Sequence, residues 1–440
     1  MKLSREDVLR FISERRPLRG HDLSGLDLSH CRLRGANLES ADLSGANLAG
    51  ADLADAILVG ANLSSADFSG TNLTGSNVDL ADFNGSRFHR ADLRRVDFSA
   101  ARLVGSEFRG ANLFRAKFKN QDLTTCSFAQ ANLGGASFFG CNCQGVNFRG
   151  AQLVNTTFRH VDLASADFSM ALLRDTRFDG STVSGGCFRG AQFLDFDFSD
   201  LDLTDCDFSE ASLEGAKVNE ALLRAARFEG ANLSRIDFSG MDLCKANFRG
   251  VNFERAIFIG ATLVEAVLED ARLDGASFAE VDLTKANLRN MRGRGASFRG
   301  ARIVDADLSG SALAHSNLFG SIVQRVSCVD VKWEAVNLGS TQLKQCSFLR
   351  ASITECTMTK TQFESCEIVE ASFDRSHFDS ATFDRCNVER TTFRRAIFEN
   401  MELSDLRFCE VDLYRLSLTG VRLQRVCLTN ALFDSVDCKA

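Results

Sequence analysis

The chain has 440 residues, 45% of them hydrophobic and 25% charged, with a formal net charge of -7. That composition belongs to a folded protein, and so small a net charge gives no reason to expect direct nucleic-acid or membrane binding. No apolar run approaches the roughly 20 residues that span a bilayer, and the single proline, Pro17, argues against the several linked domains that the length alone suggests.

Residues 1–20 read as a short helical cap. Ser4 and Asp7 stand at capping-box spacing, and Val8, Phe11 and Ile12 come next at helical spacing. A helix there shields the open edge of the repeats behind it. The charged opening MKLSRED has no apolar stretch behind it, so no secretory signal is expected and a cytoplasmic location is.

From residue 21 the pattern changes. Residues 35–56 read GANLESADLSGANLAGADLADA: a small residue, a polar one, a leucine, then two nearly unrestricted positions. A period of five suits neither a helix nor a simple strand. Calling residues such as Leu23 and Leu28 position three, the same phase runs to Cys438 in 84 consecutive pentads. Of the 37 phenylalanines, 32 occupy it. Position one, two residues earlier, is small: Ala36, Ala41 and Ala46 are typical. Between residues 21 and 438 neither position carries Asp, Glu, Lys or Arg. Such exclusion of charge means burial, and it predicts one continuous core over 21–440. Repeats this short bury their apolar face only by stacking, as in a solenoid. Position three alternates Phe118, Leu123, Phe128, Leu133, so a turn of four pentads stacks like on like, with two Phe faces opposite each other.

The units ANLES, ADLSG, ANLAG and ADLAD resemble the A-(D/N)-L-x-x consensus of the pentapeptide-repeat family. The resemblance covers about residues 21–440 and implies an all-β solenoid, a right-handed quadrilateral parallel β-helix. With 20 residues per turn, about 21 coils at about 4.8 Å each make a rod roughly 100 Å long.

Several positions depart from the rule. Cys346, Cys366 and Cys386 share a core column, and most other cysteines also face inward, so they read as reduced fillers and not as disulfides or metal ligands. Gly293 removes a core side chain, with Met291 expected to fill the gap, and Trp333 is expected to widen one coil. From about Ser311 onward Ala at position one yields to Val, Thr, Cys and Ser.

No catalytic motif stands in a supporting context, the six histidines are scattered, and no cofactor or metal is expected. The expected function is therefore non-enzymatic: a rigid scaffold that binds protein partners. Charge supplies the candidate surfaces. Asp195, Asp200, Asp205, Glu210 and Glu214 lie in a stretch without Lys or Arg, one turn in length. Arg375, Arg395 and Arg415 share one outward column, with Arg394 beside it, and Glu370, Glu389 and Glu410 are the nearby acids expected to neutralise them. Leu423, Leu428 and Phe433 are expected to lie exposed on an uncapped last coil, an edge suited to an end-to-end homodimer. The family resemblance adds two alternatives. Quinolone-resistance members bind DNA gyrase as mimics of duplex DNA, although the basic column Arg109, Arg149, Arg189, Arg249 and Arg289 weakens such a disguise here. Other members are linked to bacterial secretion systems, as effectors or adaptors, which makes non-classical secretion the other alternative.

Overall fold

The computed structural model describes residues 2–218, 223 and 225–439, in two compact units: Met1–Ser212 with Glu220–Ala226, and Leu213–Asn219 with Arg227–Ala440. Each unit is a parallel β-solenoid, and the described residues include one helix, α1 (Arg5–Ser13).

The helix starts where the sequence predicts. The Asp7 N–H donates to Ser4 Oγ at 3.1 Å and the Ser4 N–H donates back to Asp7 Oδ2 at 3.1 Å, closing a capping box with Asp in the place usually taken by Glu. Val8 and Phe11 are buried, and Phe11 packs edge-on against His21 at 5.3 Å. The chain pairs on both sides of the helix: Lys2 bridges to Asp22, and the Leu18 N–H donates to the Asn37 carbonyl at 2.8 Å.

Pairing then advances by twenty residues. Asp22, Asp27, Arg32 and Asn37, from four successive pentads, bridge in parallel to Asp42, Asn47, Asp52 and Ile57. One turn of the solenoid therefore takes four pentads. The backbone bonds of each pentad are regular, two to the next coil and one local: Leu33 N–H to Asp52 O at 2.7 Å, Gly35 N–H to Ala54 O at 2.8 Å, and Ala36 N–H to Leu33 O at 3.0 Å. The last of these closes the turn. Position five is left-handed at nearly every such corner: every described position five from Arg15 to Ser435 except Ala100 and Thr125 has φ between +47° and +72°. At those two the same bond still closes the turn, Ala101 N–H to Phe98 O at 3.0 Å and Cys126 N–H to Leu123 O at 2.8 Å. Glycine takes that conformation without strain and fills many of these corners, as at Gly35.

The Asp or Asn at position two also has a reason. The Asp42 carboxylate accepts the Ser44 N–H at 3.0 Å, turning the chain at the corner, and accepts the Asn62 side-chain amide from the next coil at 3.0 Å. The repeated Asp/Asn is thus a ladder of side-chain bonds parallel to the backbone ladder.

In the first unit position three is leucine from Leu18 to Leu63, and from Phe68 onward the core becomes rich in phenylalanine. Phe68, Phe88, Phe108, Phe128, Phe148, Phe168, Phe188 and Phe208 stack with centroids 4.9–5.3 Å apart. A second ladder, Phe98 to Phe178, stacks at 4.6–5.4 Å. Rings of the two ladders meet edge to face, as Phe128 and Phe138 do at 5.8 Å and 87°. Here three pentads open into strands β1 (Lys117–Lys119), β2 (Ser137–Phe139) and β3 (Thr157–Arg159), which form one parallel sheet.

In the second unit, most pentads of residues 292–439 open into three-residue strands. They form four parallel sheets, the largest of seven strands from Arg302–Val304 to Arg422–Gln424. Ser, Thr and Cys at position one donate to the carbonyl 23 residues earlier: Thr361 Oγ1 to Leu338 O at 2.7 Å, Ser376 Oγ to Ile353 O at 3.0 Å, Cys366 Sγ to Leu343 O at 3.3 Å. The drift away from alanine therefore has a physical basis, and no described buried side-chain N or O lacks a partner. Trp333 lies buried in its column, its indole N–H on Ser311 Oγ at 3.3 Å. A Cβ on Gly293 would stand 3.1 Å from that of Leu273, and Met291 is fully buried beside it. All fifteen cysteines are free thiols; burial pushes that of Cys126 up to about 12.

Candidate interaction surface

The outward positions two, four and five carry the charge, and their partners follow the twenty-residue register. In the second unit a groove of about 720 Å³ runs between Arg375, Arg394, Arg395, Tyr414, Leu432 and Phe433. The Arg375 guanidinium reaches Glu355, one coil earlier, at 2.8 Å, and Arg394 forks onto Asp412 at 2.7 and 2.8 Å. Glu370, Glu389 and Glu410 do not neutralise this group, contrary to expectation. Glu370 and Glu389 instead hold Arg390 in another corner column. Residues five apart in sequence sit on adjacent faces; the pairs that form join residues about twenty apart, such as Arg390 and Glu370, or close neighbours in sequence, such as Arg390 and Glu389.

Arg395 and Arg415 have no carboxylate partner among the described residues. Arg415 lies over the ring of Tyr414, 5.1 Å from its centroid, a cation-π contact that holds the guanidinium at the groove margin. Leu432, which lines the groove, is 65% exposed. Leu423, Leu428 and Phe433 occupy position three, which is buried through most of the chain, yet they are 59%, 45% and 55% exposed. Among the described residues, strands Arg422–Gln424 and Cys427–Thr429 each stand at the end of a sheet, paired on one side. They leave an open edge with an apolar interior behind it.

The acidic residues fall in both units. In the first, Asp195, Asp200, Asp205 and Glu210 occupy successive left-handed corners. Glu210 is held by Arg189 of the preceding coil at 2.7 Å, while Asp195, Asp200 and Asp205 have no ion pair among the described residues. In the second, Glu214 faces Arg235 at 3.6 Å. Other arginines of the basic column are also paired: Arg249 lies 3.8 Å from Asp270 and Arg289 lies 3.2 Å from Asp307.

Among the described residues no three His, Cys, Asp or Glu side chains gather as metal ligands, and no helix is long and apolar enough to cross a membrane. The repeat pattern does not by itself single out Tyr414 and Leu432, which line the groove. Both are large apolar residues standing outside the repeat's apolar positions, and that is the signal that marks them.

Comparison with known proteins places the chain among repeat proteins of the same period. A family model described as pentapeptide repeats (8 copies) matches residues 22–128 and 187–313 through overlapping copies, and one described as a pentapeptide repeat region matches 111–188. Among solved structures, HetL, a pentapeptide repeat protein involved in heterocyst differentiation regulation from the cyanobacterium Nostoc sp. strain PCC 7120, is 26% identical. The match covers 63% of this chain and 96% of that one, with a TM-score of 0.16. Full-length QnrB1, a plasmid-mediated fluoroquinolone resistance protein, is 16% identical over 42% of this chain and 93% of that one, with a TM-score of 0.22. No curated protein sequence matches significantly. The unbroken five-residue phase, the twenty-residue register and a family model covering more than half of the residues lead to one assignment: the chain belongs to the pentapeptide-repeat family.

Proposed function

We propose that this protein is a non-enzymatic repeat scaffold that binds protein partners, with the groove of the second unit as a docking surface. One observation carries the reading. Arg395 and the neighbouring Arg415 lack carboxylate partners among the described residues while Arg375 and Arg394 have them, and they stand beside exposed Leu432 and Phe433. Unpaired guanidinium groups next to apolar and aromatic surface are the composition of an interface centre. The test is capture from native lysate with the wild-type chain and with Arg395→Glu/Arg415→Glu. A partner held by the first and lost by the second supports the groove; the same partners on both would remove it.

An end-to-end homodimer through Leu423, Leu428 and Phe433 belongs to the same reading and draws support from their exposure. Sedimentation should show a dimer that Leu428→Glu dissociates, and a strict monomer at high concentration refutes it. Asp195, Asp200 and Asp205, without ion pairs among the described residues, favour a second reading, modulation of a type II topoisomerase by mimicry of duplex DNA. Unchanged gyrase supercoiling and drug poisoning in the presence of the protein would exclude it.

A further inference from the structure

The acidic balance of the whole chain hides a basic segment. From Arg109 to His160, in the first unit, six side chains are cationic (Arg109, Arg115, Lys117, Lys119, Arg149 and Arg159) and one, Asp122, is a carboxylate. Sheet β1–β3 lies inside this segment. Its register places Lys119, Phe139 and Arg159 in one outward column on successive coils. Phe139 is 39% exposed, the Lys119 ammonium lies 6.0 Å from its ring centroid, and His160 approaches edge-on at 5.9 Å. The carboxylates bordering the sheet are engaged elsewhere: Asp97 faces Lys117 at 3.6 Å and Asp179 faces Arg177 at 3.5 Å. Lys119 and Arg159 have no carboxylate partner among the described residues.

We propose that this face binds single-stranded nucleic acid, with a base stacked on Phe139 and backbone phosphates on Lys119 and Arg159. The two cations lie two coils apart, about 10 Å, on either side of the ring. A stacked base can therefore sit between two neutralised phosphates. Every base presents a π-face, so an exposed aromatic flanked by cations binds single strands with little sequence preference. A duplex keeps its bases stacked internally and offers Phe139 nothing. An acidic peptide uses the cations but gains little from the ring.

The test is fluorescence anisotropy of a labelled oligouridine of about 20 nucleotides, longer than the usual single-strand site, with the full-length protein at low salt. Saturable binding is expected. Phe139→Ala should weaken it by about tenfold, and Phe139→Tyr should restore it. Lys119→Gln/Arg159→Gln should reduce the slope of log K against log salt by about 1.4, two phosphates' worth for a single strand. Arg255→Gln/Lys285→Gln, exposed cations of the second unit, should change nothing. All these side chains are exposed, and a thermal melt of each variant confirms that folding is retained. The absence of saturable binding overturns the proposal. So does equal affinity in Phe139→Ala, or stronger competition by polyglutamate or duplex DNA than by unlabelled oligouridine.

Discussion

Residues 20–212 of the first unit and residues 292–439 of the second obey one five-residue rule but solve its corners differently. In the first region the corner is often glycine, and the turn is closed by a backbone bond such as that from Ala36 to Leu33. In the second, Gly310, Gly320 and Gly420 are among the few glycine corners, most turns open into three-residue strands, and side chains bridge successive coils. Arg325 forks onto Asp305 at 2.5 and 2.7 Å, Arg350 onto Asp330 at 2.7 Å twice, and Arg425 onto Asp405. The interiors differ in parallel: two facing phenylalanine ladders in the first region, mixed aliphatic, thiol and aromatic columns in the second. The left-handed corner is thus the general rule of the coil, with Ala100 and Thr125 its exceptions among the described residues. Glycine meets it through backbone freedom, and Asp, Arg or Glu meet it while adding a bond to the next coil.

The largest expected effect is in the aromatic interior. Phe128 is fully buried between Phe108 at 5.0 Å and Phe148 at 5.3 Å, so Phe128→Ala should cost about 3–5 kcal/mol in urea unfolding. The exposed Phe319 stands outside the core, and Phe319→Ala should stay within about 0.5 kcal/mol. Equal losses would mean that the ladder is not the sealed core.

Corners come next. Gly145 has φ +67°, and a methyl group added there would meet no atom within 4 Å, so Gly145→Ala isolates the backbone contribution and should cost about 1 kcal/mol. The reverse change in the second region, Lys360→Gly at φ +57°, relieves strain but frees the unfolded chain, and should alter stability by less than about 0.5 kcal/mol. A neutral Gly145→Ala would erase the proposed difference between the two kinds of corner.

The smallest effect is electrostatic. Hydrogen bonds from Arg325, Arg350 and Arg425 hold the carboxyls of Asp305, Asp330 and Asp405 below the usual range. A depressed folded value means that this stabilisation is complete above the unfolded value of about 4 and is lost as pH falls through the folded one. The melting temperature should therefore decline below about pH 4, less steeply in Asp305→Asn/Asp330→Asn/Asp405→Asn and less steeply in high salt. An unchanged profile in the triple variant would show that these exposed pairs contribute nothing measurable.

Much of the fold was legible because burial leaves a two-position signature that charge never violates. The alternation of Phe118, Leu123 and Phe128 carried the number of pentads per turn, which the bridge from Asp22 to Asp42 bears out. Position five was not legible: it looked free because Arg, Asp, Ser and Glu all tolerate a left-handed backbone locked by its neighbours. The clue was an absence. No Val or Ile occurs there, and its one threonine, Thr125, stands outside the left-handed set and accepts the Gly105 N–H on its hydroxyl at 2.8 Å. At the surface, pairing by nearness in sequence misassigned Glu370, whereas the register of twenty leads from Arg375 to Glu355. The basic face around Phe139 escaped notice because a net charge averages over the chain.

The central claim is that four pentads make one turn. Spin labels at Arg102→Cys and Thr182→Cys, both outward in the first unit and 80 residues apart, measure it by pulsed electron resonance, with native cysteines left unlabelled or replaced. Four coils place the backbone sites about 19 Å apart. A separation near 26 Å, as a three-pentad turn requires, or a broad distribution with no defined maximum, would contradict the account.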